Sequence, residues 1–210
     1  MPENLGNTVN LSALHLRGTA IRELPSSTIL LKRLHGACFS GCQWPSSSSA
    51  LMPTSQDLVG VLLRPLSCLL IKDLDFRDCN LSAIPNDIGC LSFLNALRLS
   101  GNDFISLPES ISQLSRLRKL YLDGCKRLRS LPNLPSKVED VILNNCISLE
   151  TWPELQIYCF RPDIFYRFYF SCLNCFNLVD NFQSGRNTLQ VSLSLCFLNI
   201  LYLQNYLISF

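Results

Sequence analysis

An uneven spacing of leucines recurs along this chain and constrains its fold more than any other feature. The stretch LRLSGNDFISLP, residues 97–108, is followed by LYLDGCKRLRSLP, residues 120–132, which repeats the pattern with Cys125 in place of Asn102. One such match would be weak evidence, whereas several at a steady period indicate a repeat architecture. The pattern L-x-x-L-x-L-x-x-(N/C/T) begins six times, at Leu11, Leu34, Ile71, Leu94, Leu117 and Val138.

The spacing of these starting residues, called anchors below, identifies the type of repeat. Successive anchors are 23, 37, 23, 23 and 21 residues apart. Four of the five steps fall in the range of about 20–29 residues that is typical of leucine-rich repeats. The long step contains WPSSSSALMPTS, residues 44–55, a Pro/Ser-rich stretch that predicts a surface-loop insertion at about residues 43–68.

Each unit is expected to form a short strand, a turn and a return leg. Alternate strand residues point to one side, so the leucines of the pattern face a core. Asn102 then ends the strand, and Pro108 fixes an extended or turning backbone on the return leg. In the fourth unit the residues expected in the core are Leu94, Leu97, Leu99, Phe104 and Leu107.

Stacking of the units is required, because one unit cannot bury its own apolar face. The predicted fold is therefore an α/β leucine-rich-repeat solenoid, or horseshoe, with a parallel β-sheet on its concave face and a loop-rich convex side. The turn residues should point inward and bond to the backbone of the adjacent unit, although a metal or disulfide ladder is the alternative for the cysteines. These turn residues are Thr19, Cys42, Cys79, Asn102, Cys125 and Cys146.

Composition narrows the class of protein. The 210 residues are 48% hydrophobic and 16% charged, which supplies a core and argues against disorder. The net charge of +2 argues against a nucleic-acid partner. No basic start followed by an apolar run opens the chain, so a reducing, cytoplasmic location with free thiols is expected.

Several stretches resemble one protein family: HLRGTAIRELPSS (15–27), FSGCQWPSSSS (39–49), LDFRDCNLSAIPNDIGCLSFL (74–94) and CISLETWP (146–153). They are similar to the C-terminal repeats of plant intracellular immune receptors that carry a Toll/interleukin-receptor-type N-terminal domain and a nucleotide-binding domain. The resemblance predicts a solenoid over residues 1–155. FYFSCLNCFNLVDN (168–181) resembles the start of the β-sandwich domain that follows these repeats, so residues 156–188 are expected to begin a truncated second domain.

The resemblance implies a function in plant defence by protein binding, with a pathogen effector or the nucleotide-binding domain of a related receptor as the partner. The sequence contains no G-x-x-x-x-G-K-[ST] phosphate loop, so the nucleotide switch of the family does not carry over. The chain is therefore expected to be a non-enzymatic receptor fragment or truncated gene product that needs no cofactor. A non-functional receptor copy is an alternative.

The candidate binding residues are those two, four and six positions after each anchor, because these side chains point away from the core. Arg77, Arg98, Lys119 and Tyr121 are expected to form a basic and aromatic group, whereas the second unit offers only Gly36, Cys38 and Ser40. No nucleophile motif accompanies His15 or His35. Asp73 and Asp75 point to the same side of a strand, but the sequence predicts no catalytic cleft around them. The predicted partner-binding residues are His15, Arg17, Asp73, Asp75, Arg77, Arg98, Lys119, Tyr121 and Asp123.

Two C-terminal features leave alternatives open. Cys172 and Cys175 form a C-x-x-C, but a structural zinc site usually needs a second pair of ligands. Residues 189–210 carry no charge in 22 residues, which suits either an aberrant tail or a membrane anchor. Membrane association is expected only through this tail, and a tail-anchored scaffold with cytosolic repeats is the alternative to a purely protein-binding module.

Overall fold

The computed structural model of the chain describes residues 1–8, 10–42, 55–151 and 169–178. Within these ranges, seven strands of three residues form one parallel sheet in sequence order. The predicted α/β leucine-rich-repeat solenoid with a parallel sheet is thereby confirmed. The strands are β1 (Ala13–His15), β2 (Gly36–Cys38), β3 (Asp73–Asp75), β4 (Ala96–Arg98), β5 (Lys119–Tyr121), β6 (Asp140–Ile142) and β7 (Tyr169–Ser171).

The middle residue of each strand points into a continuous core. Leu97 and Leu99 have no exposed surface, as the leucine spacing predicts. Burying one such side chain contributes about 2 kcal/mol, so stability grows with every stacked unit. In the first unit Leu16 and Ile21 are only partly buried. The strand pairing places in one row Leu14, Ala37, Leu74, Leu97, Leu120, Val141 and Phe170.

The return legs contain short 3-10 helices as well as irregular chain. Three of these helices begin directly after a proline, at Pro25, Pro85 and Pro108, whose fixed backbone angle suits the residue before a helical turn. Their close stacking leaves little room, since a Cβ on Gly89 would lie 2.8 Å from Ser110. The 3-10 helices are Leu5–Asn7, Ser26–Leu30, Asn86–Cys90 and Glu109–Gln113.

The described part of the insertion is a helix, α1 (Ser55–Ser67), which the sequence analysis did not anticipate. It packs between the 3-10 helices Ser26–Leu30 and Asn86–Cys90 and so replaces the return leg of the second unit. The signal was a helical spacing of apolar residues that follows the Pro/Ser-rich stretch. The buried residues of α1 are Leu58, Val59, Leu62, Leu63 and Leu66.

Every turn after a strand uses the same backbone geometry. The residue before the turn position has a positive φ between 55° and 71° in every unit, for example Gly101 at 71° and Asn145 at 62°. The next side chain then points into the core. Asn102 accepts hydrogen bonds from the backbone N–H groups of Cys79 and Leu81 and is 1% exposed.

Cysteines at the same turn position bond across to the preceding unit, as predicted. The Sγ of Cys79 donates to the Phe39 carbonyl at 3.1 Å, and the Sγ of Cys125 donates to the Leu99 carbonyl at 3.3 Å. Burial raises the pKa of both thiols to about 12. These cysteines are therefore structural groups that stay protonated at neutral pH.

The burial of these thiols predicts that the folded chain becomes less stable at alkaline pH. The folded-state pKa of the buried thiols lies above the value of about 9 for an unfolded chain, so their contribution to stability is complete below pH 9 and is lost as the pH rises through 12. Each such thiol should lower the free energy of unfolding by roughly 1 kcal/mol between pH 8 and 10. Urea unfolding measured at pH 8, 9 and 10 tests this.

A matched variant isolates the thiol contribution. Cys125→Asn places at this position the residue that the fourth unit holds at Asn102, so it removes an ionisable group and keeps a side chain able to bond to the turn. The loss of stability between pH 8 and 10 should then be smaller than in the parent chain. An unchanged pH dependence would show that this thiol is not the cause.

The seventh strand lies inside the segment that was assigned by resemblance to a second domain. Asn174 has a φ of 61°, like Asn145, and the Sγ of Cys175 donates to the Leu143 carbonyl at 3.1 Å. Residues 169–178 thus continue the stacking as a seventh unit. Residues 152–168 lie outside the described residues, so the domain boundary at residue 155 stays a prediction.

Candidate binding face

The outward side of strands β1–β7 and of the residues just after them is called the concave face below. The nine residues predicted to bind a partner lie on this face, on β1, β3, β4 and β5 or up to two residues beyond those strands. Strand pairing sets His15 beside Cys38, Asp75 beside Arg98, and Arg98 beside Tyr121. The sheet therefore brings residues from separate units into one surface.

Asp75 departs from the expectation that these side chains remain outside the core, because its exposure is only 7%. Arg77 covers it with a two-pronged contact, from Nε at 3.0 Å to Oδ1 and from Nη2 at 2.7 Å to Oδ2. The Sγ of Cys38 lies 3.7 Å from the same Oδ2. Burial pushes the pKa of Asp75 upward, but the hydrogen bonds from Arg77 outweigh burial and hold that pKa below its usual range. Asp75 is thus an ionised support for Arg77.

Arg98 links two neighbours across the sheet. Its Nη1 lies 3.5 Å from the Asp73 carboxylate, and its guanidinium lies 5.5 Å from the centre of the Tyr121 ring. Lys119, which was predicted to belong to the same basic group, instead lies 3.4 Å from Asp140. Exposed pairs of this kind contribute little stability, so their main effect is to restrict the orientation of the side chains.

The face changes character towards β7. Asp123 accepts hydrogen bonds from the Ser100 hydroxyl at 3.4 Å and the Asn144 amide at 3.0 Å. Asn144 in turn accepts a hydrogen bond from Ser171 at 2.7 Å. These polar side chains satisfy one another and form a ladder across four strands.

A groove of about 700 Å³ lies over strands β1–β4 and is called the N-terminal groove below. Its lining combines small residues, among them Gly36, Cys38 and Ser40, with charged residues. The repeat pattern places residues of the second unit on this face, although none of them is among the nine predicted binding residues. Their small size, beside units that carry arginines and aspartates, was the signal for a depression.

The groove offers no evident catalytic arrangement. His15 and His35 both line it, but its two aspartates are held by arginines, Asp73 by Arg98 and Asp75 by Arg77. Among the described residues, no group of three or more His, Cys, Asp or Glu side chains is placed to hold a metal ion. The concave face presents charged groups, hydrogen-bonding groups and the aromatic rings of Tyr121 and Tyr169.

Comparison with known proteins identifies relatives of this chain. It is 35% identical over 150 residues to Disease resistance-like protein DSC1 of Arabidopsis thaliana, a match that covers 71% of this chain and 12% of that protein. The chain is a homologue of plant disease resistance proteins. TMV resistance protein N of Nicotiana glutinosa is 34% identical over 143 residues, which cover 67% of this chain and 12% of that protein.

These disease resistance relatives are much longer than the matched region, so the chain corresponds to a small part of each. No protein-family model matches it. Among solved structures, the leucine-rich repeat domain of the type III effector XCV3220 (XopL) superposes with a TM-score of 0.50 at 24% identity, over 72% of this chain and 51% of that one. This likeness shows the repeat fold.

No helix in the described ranges combines the length and the apolar character needed to cross a bilayer. Residues 189–210, for which the sequence leaves a membrane anchor open, lie outside the described residues.

Proposed function

We propose that this chain is a non-catalytic protein-binding module of a plant disease resistance protein, and that it binds its partner through the concave face in the cytoplasm. The observation that carries the proposal is the contrast between the two sides of the sheet. The inward side is apolar and mostly buried, whereas the outward side presents charged and aromatic groups with restricted orientations. The homology to disease resistance proteins supports the defence context.

The partner surface is expected to centre on Arg98 and Tyr121, because arginine and tyrosine are enriched at the energetic centres of protein interfaces. Their stacking reduces the freedom that each would lose on binding, which favours affinity. A pathogen effector and the nucleotide-binding domain of a related receptor are the candidate partners, and both are proteins.

Site-specific photo-crosslinking tests this proposal. A photoreactive amino acid at Tyr121, in the full chain expressed in plant tissue challenged with a pathogen, should give a protein adduct of defined mass. The matched control carries the same group at Ser112, an exposed residue on the 3-10 helix Glu109–Gln113 of the opposite side. Adducts of equal yield and mass at both positions would contradict binding by the concave face, as would an adduct at Tyr121 that survives Arg98→Glu.

A further inference from the structure

We propose that the N-terminal groove is a subsite for a carboxylate side chain of an acidic segment in the protein partner. This inference deepens the proposed function, because it states the chemistry of one part of the partner. It rests on the shape of the groove, its charge balance, and the way in which its arginines are held.

The shape suits the insertion of side chains from a partner. Gly36 contributes no side chain, and a Cβ built there would meet no atom closer than 4.0 Å. The depression therefore comes from the residue type and is not filled by a neighbour. With about 700 Å³ of volume, the groove has room for several side chains of a bound segment.

The charge balance favours an anion. Three arginines line the groove, namely Arg17, Arg77 and Arg98, against two aspartates, Asp73 and Asp75. Two of the arginines are paired with the aspartates, whereas Arg17 takes part in no ion pair within the described ranges.

The other half of the concave face has the opposite balance. On β5, on β6 and within two residues after β5, the ionisable groups that point outward include Lys119, Asp123 and Asp140. Lys119 is paired with Asp140, which leaves the charge of Asp123 in excess. The face thus has a positive end and a negative end, and an acidic segment would be attracted to the groove.

The arginines are oriented before any ligand binds. Asp75 engages Nε and Nη2 of Arg77, so the Nη1 group of Arg77 remains outside that contact while the side chain stays 47% exposed. Arg98 is held between Asp73 and the Tyr121 ring. Guanidinium groups fixed in this way bind a planar carboxylate with little further loss of freedom.

Other occupants fit less well. A lysine or arginine of the partner would approach three arginines, and a purely apolar segment would remove their charges from water without replacing the hydrogen bonds. A phosphate shares the charge of a carboxylate, but nothing in the groove assembles the cluster of backbone amides that commonly binds phosphate, and the proposal commits to a protein carboxylate.

A short peptide provides the probe. A fluorescent hexaglutamate peptide should bind the full chain at low ionic strength, whereas hexaglutamine of the same length should not, as measured by fluorescence anisotropy. Arg17→Gln and Arg98→Gln should each weaken binding about tenfold, which is the loss expected for one charge-assisted hydrogen bond. The control Arg127→Gln removes the same charge from an exposed position outside the groove and should change the affinity less than twofold.

The thiol of Cys38, which lines the N-terminal groove, can show whether the peptide binds there. Cys38 lines the groove and is half-buried, whereas Cys68 and Cys90 are exposed elsewhere. Bound hexaglutamate should slow the alkylation of Cys38 and leave the rates at Cys68 and Cys90 unchanged, as followed by mass spectrometry.

Three results would overturn the subsite: no protection of Cys38, an equal loss of affinity with Arg127→Gln, or complete displacement of the peptide by low-millimolar inorganic phosphate. These results concern the groove alone. If the peptide fails to bind but Tyr121 still crosslinks to a protein, the carboxylate subsite is wrong and the protein-binding face stands. If the peptide binds in the groove but Tyr121 gives no specific adduct, the broader proposal fails instead.

Discussion

Replacing Asn102 with alanine is expected to destabilise the chain by about 4 kcal/mol, as four buried hydrogen bonds are lost at about 1 kcal/mol each. The side-chain oxygen accepts the N–H groups of Cys79 and Leu81, and the side-chain amide donates to the carbonyls of Phe76 at 2.8 Å and Leu99 at 2.7 Å. The residue ties two units together. Alanine would leave these buried backbone groups without partners, which is among the most damaging changes known for a folded chain.

The control is Asn102→Cys, because five other units hold a cysteine at this position. A thiol can still donate to the Phe76 carbonyl, as Cys125 does to Leu99, but it accepts hydrogen bonds poorly. About a quarter of the loss should therefore be recovered. Urea unfolding followed by circular dichroism at pH 7 measures all three proteins. Equal stability of the alanine and cysteine variants would refute the hydrogen-bond explanation.

The repeat could be predicted from the sequence because its causes are local. The step of 23 residues and the alternation of Leu97 and Leu99 determine which side chains face the core, whatever the neighbouring units contain. The inward turn residues follow from the same pattern, since Cys125 stands where Asn102 stands. Both predictions are confirmed by the burial and hydrogen bonds of these residues.

The seventh unit was missed because its pattern is degenerate. The residue two positions before β7, where the other units have an apolar anchor, is Arg167, and Cys172 stands where Leu99 stands in the fourth unit. The surviving signal was the pair Asn174 and Cys175, which repeats Asn145 and Cys146. Helix α1 was missed for a different reason, because a proline- and serine-rich stretch precedes its apolar residues.

The candidate site was harder to predict because it depends on neighbours from different units. Nothing in the sequence around Asp75 shows that Arg77 will fold back over it, or that Cys38, 37 residues earlier, will lie against the same carboxylate. The groove likewise arises from the contrast between a unit of small residues and the units beside it. The alternation of side chains along a strand places a residue on the concave face. The depth of the N-terminal groove depends instead on which units lie side by side.

The second large effect is expected at the contact between β2 and β3, whose repeat units are separated by the longest step, 37 residues. Phe39 and Phe76 stack with their ring centres 4.9 Å apart and their planes within 13°, and neither has any exposed surface. Phe76→Ala should destabilise the chain by about 4 kcal/mol through the lost contacts and the cavity that remains. The damage should be unequal along the solenoid, because each unit contacts only its neighbours.

Hydrogen exchange followed by mass spectrometry distinguishes local from global loss. In Phe76→Ala the amides of β1 and β2 should exchange much faster than those of β5 and β6, because the first two units lose their main apolar connection to the rest. Phe76→Leu is the matched control, since other units hold Leu99 and Leu122 at this position, and it should cost roughly 1.5 kcal/mol with little change in the pattern. An equal loss of protection along the whole sheet would mean that the seven strands unfold as one unit. The stacked phenylalanines would then be one more core contact, with no special part in joining the two ends of the concave face.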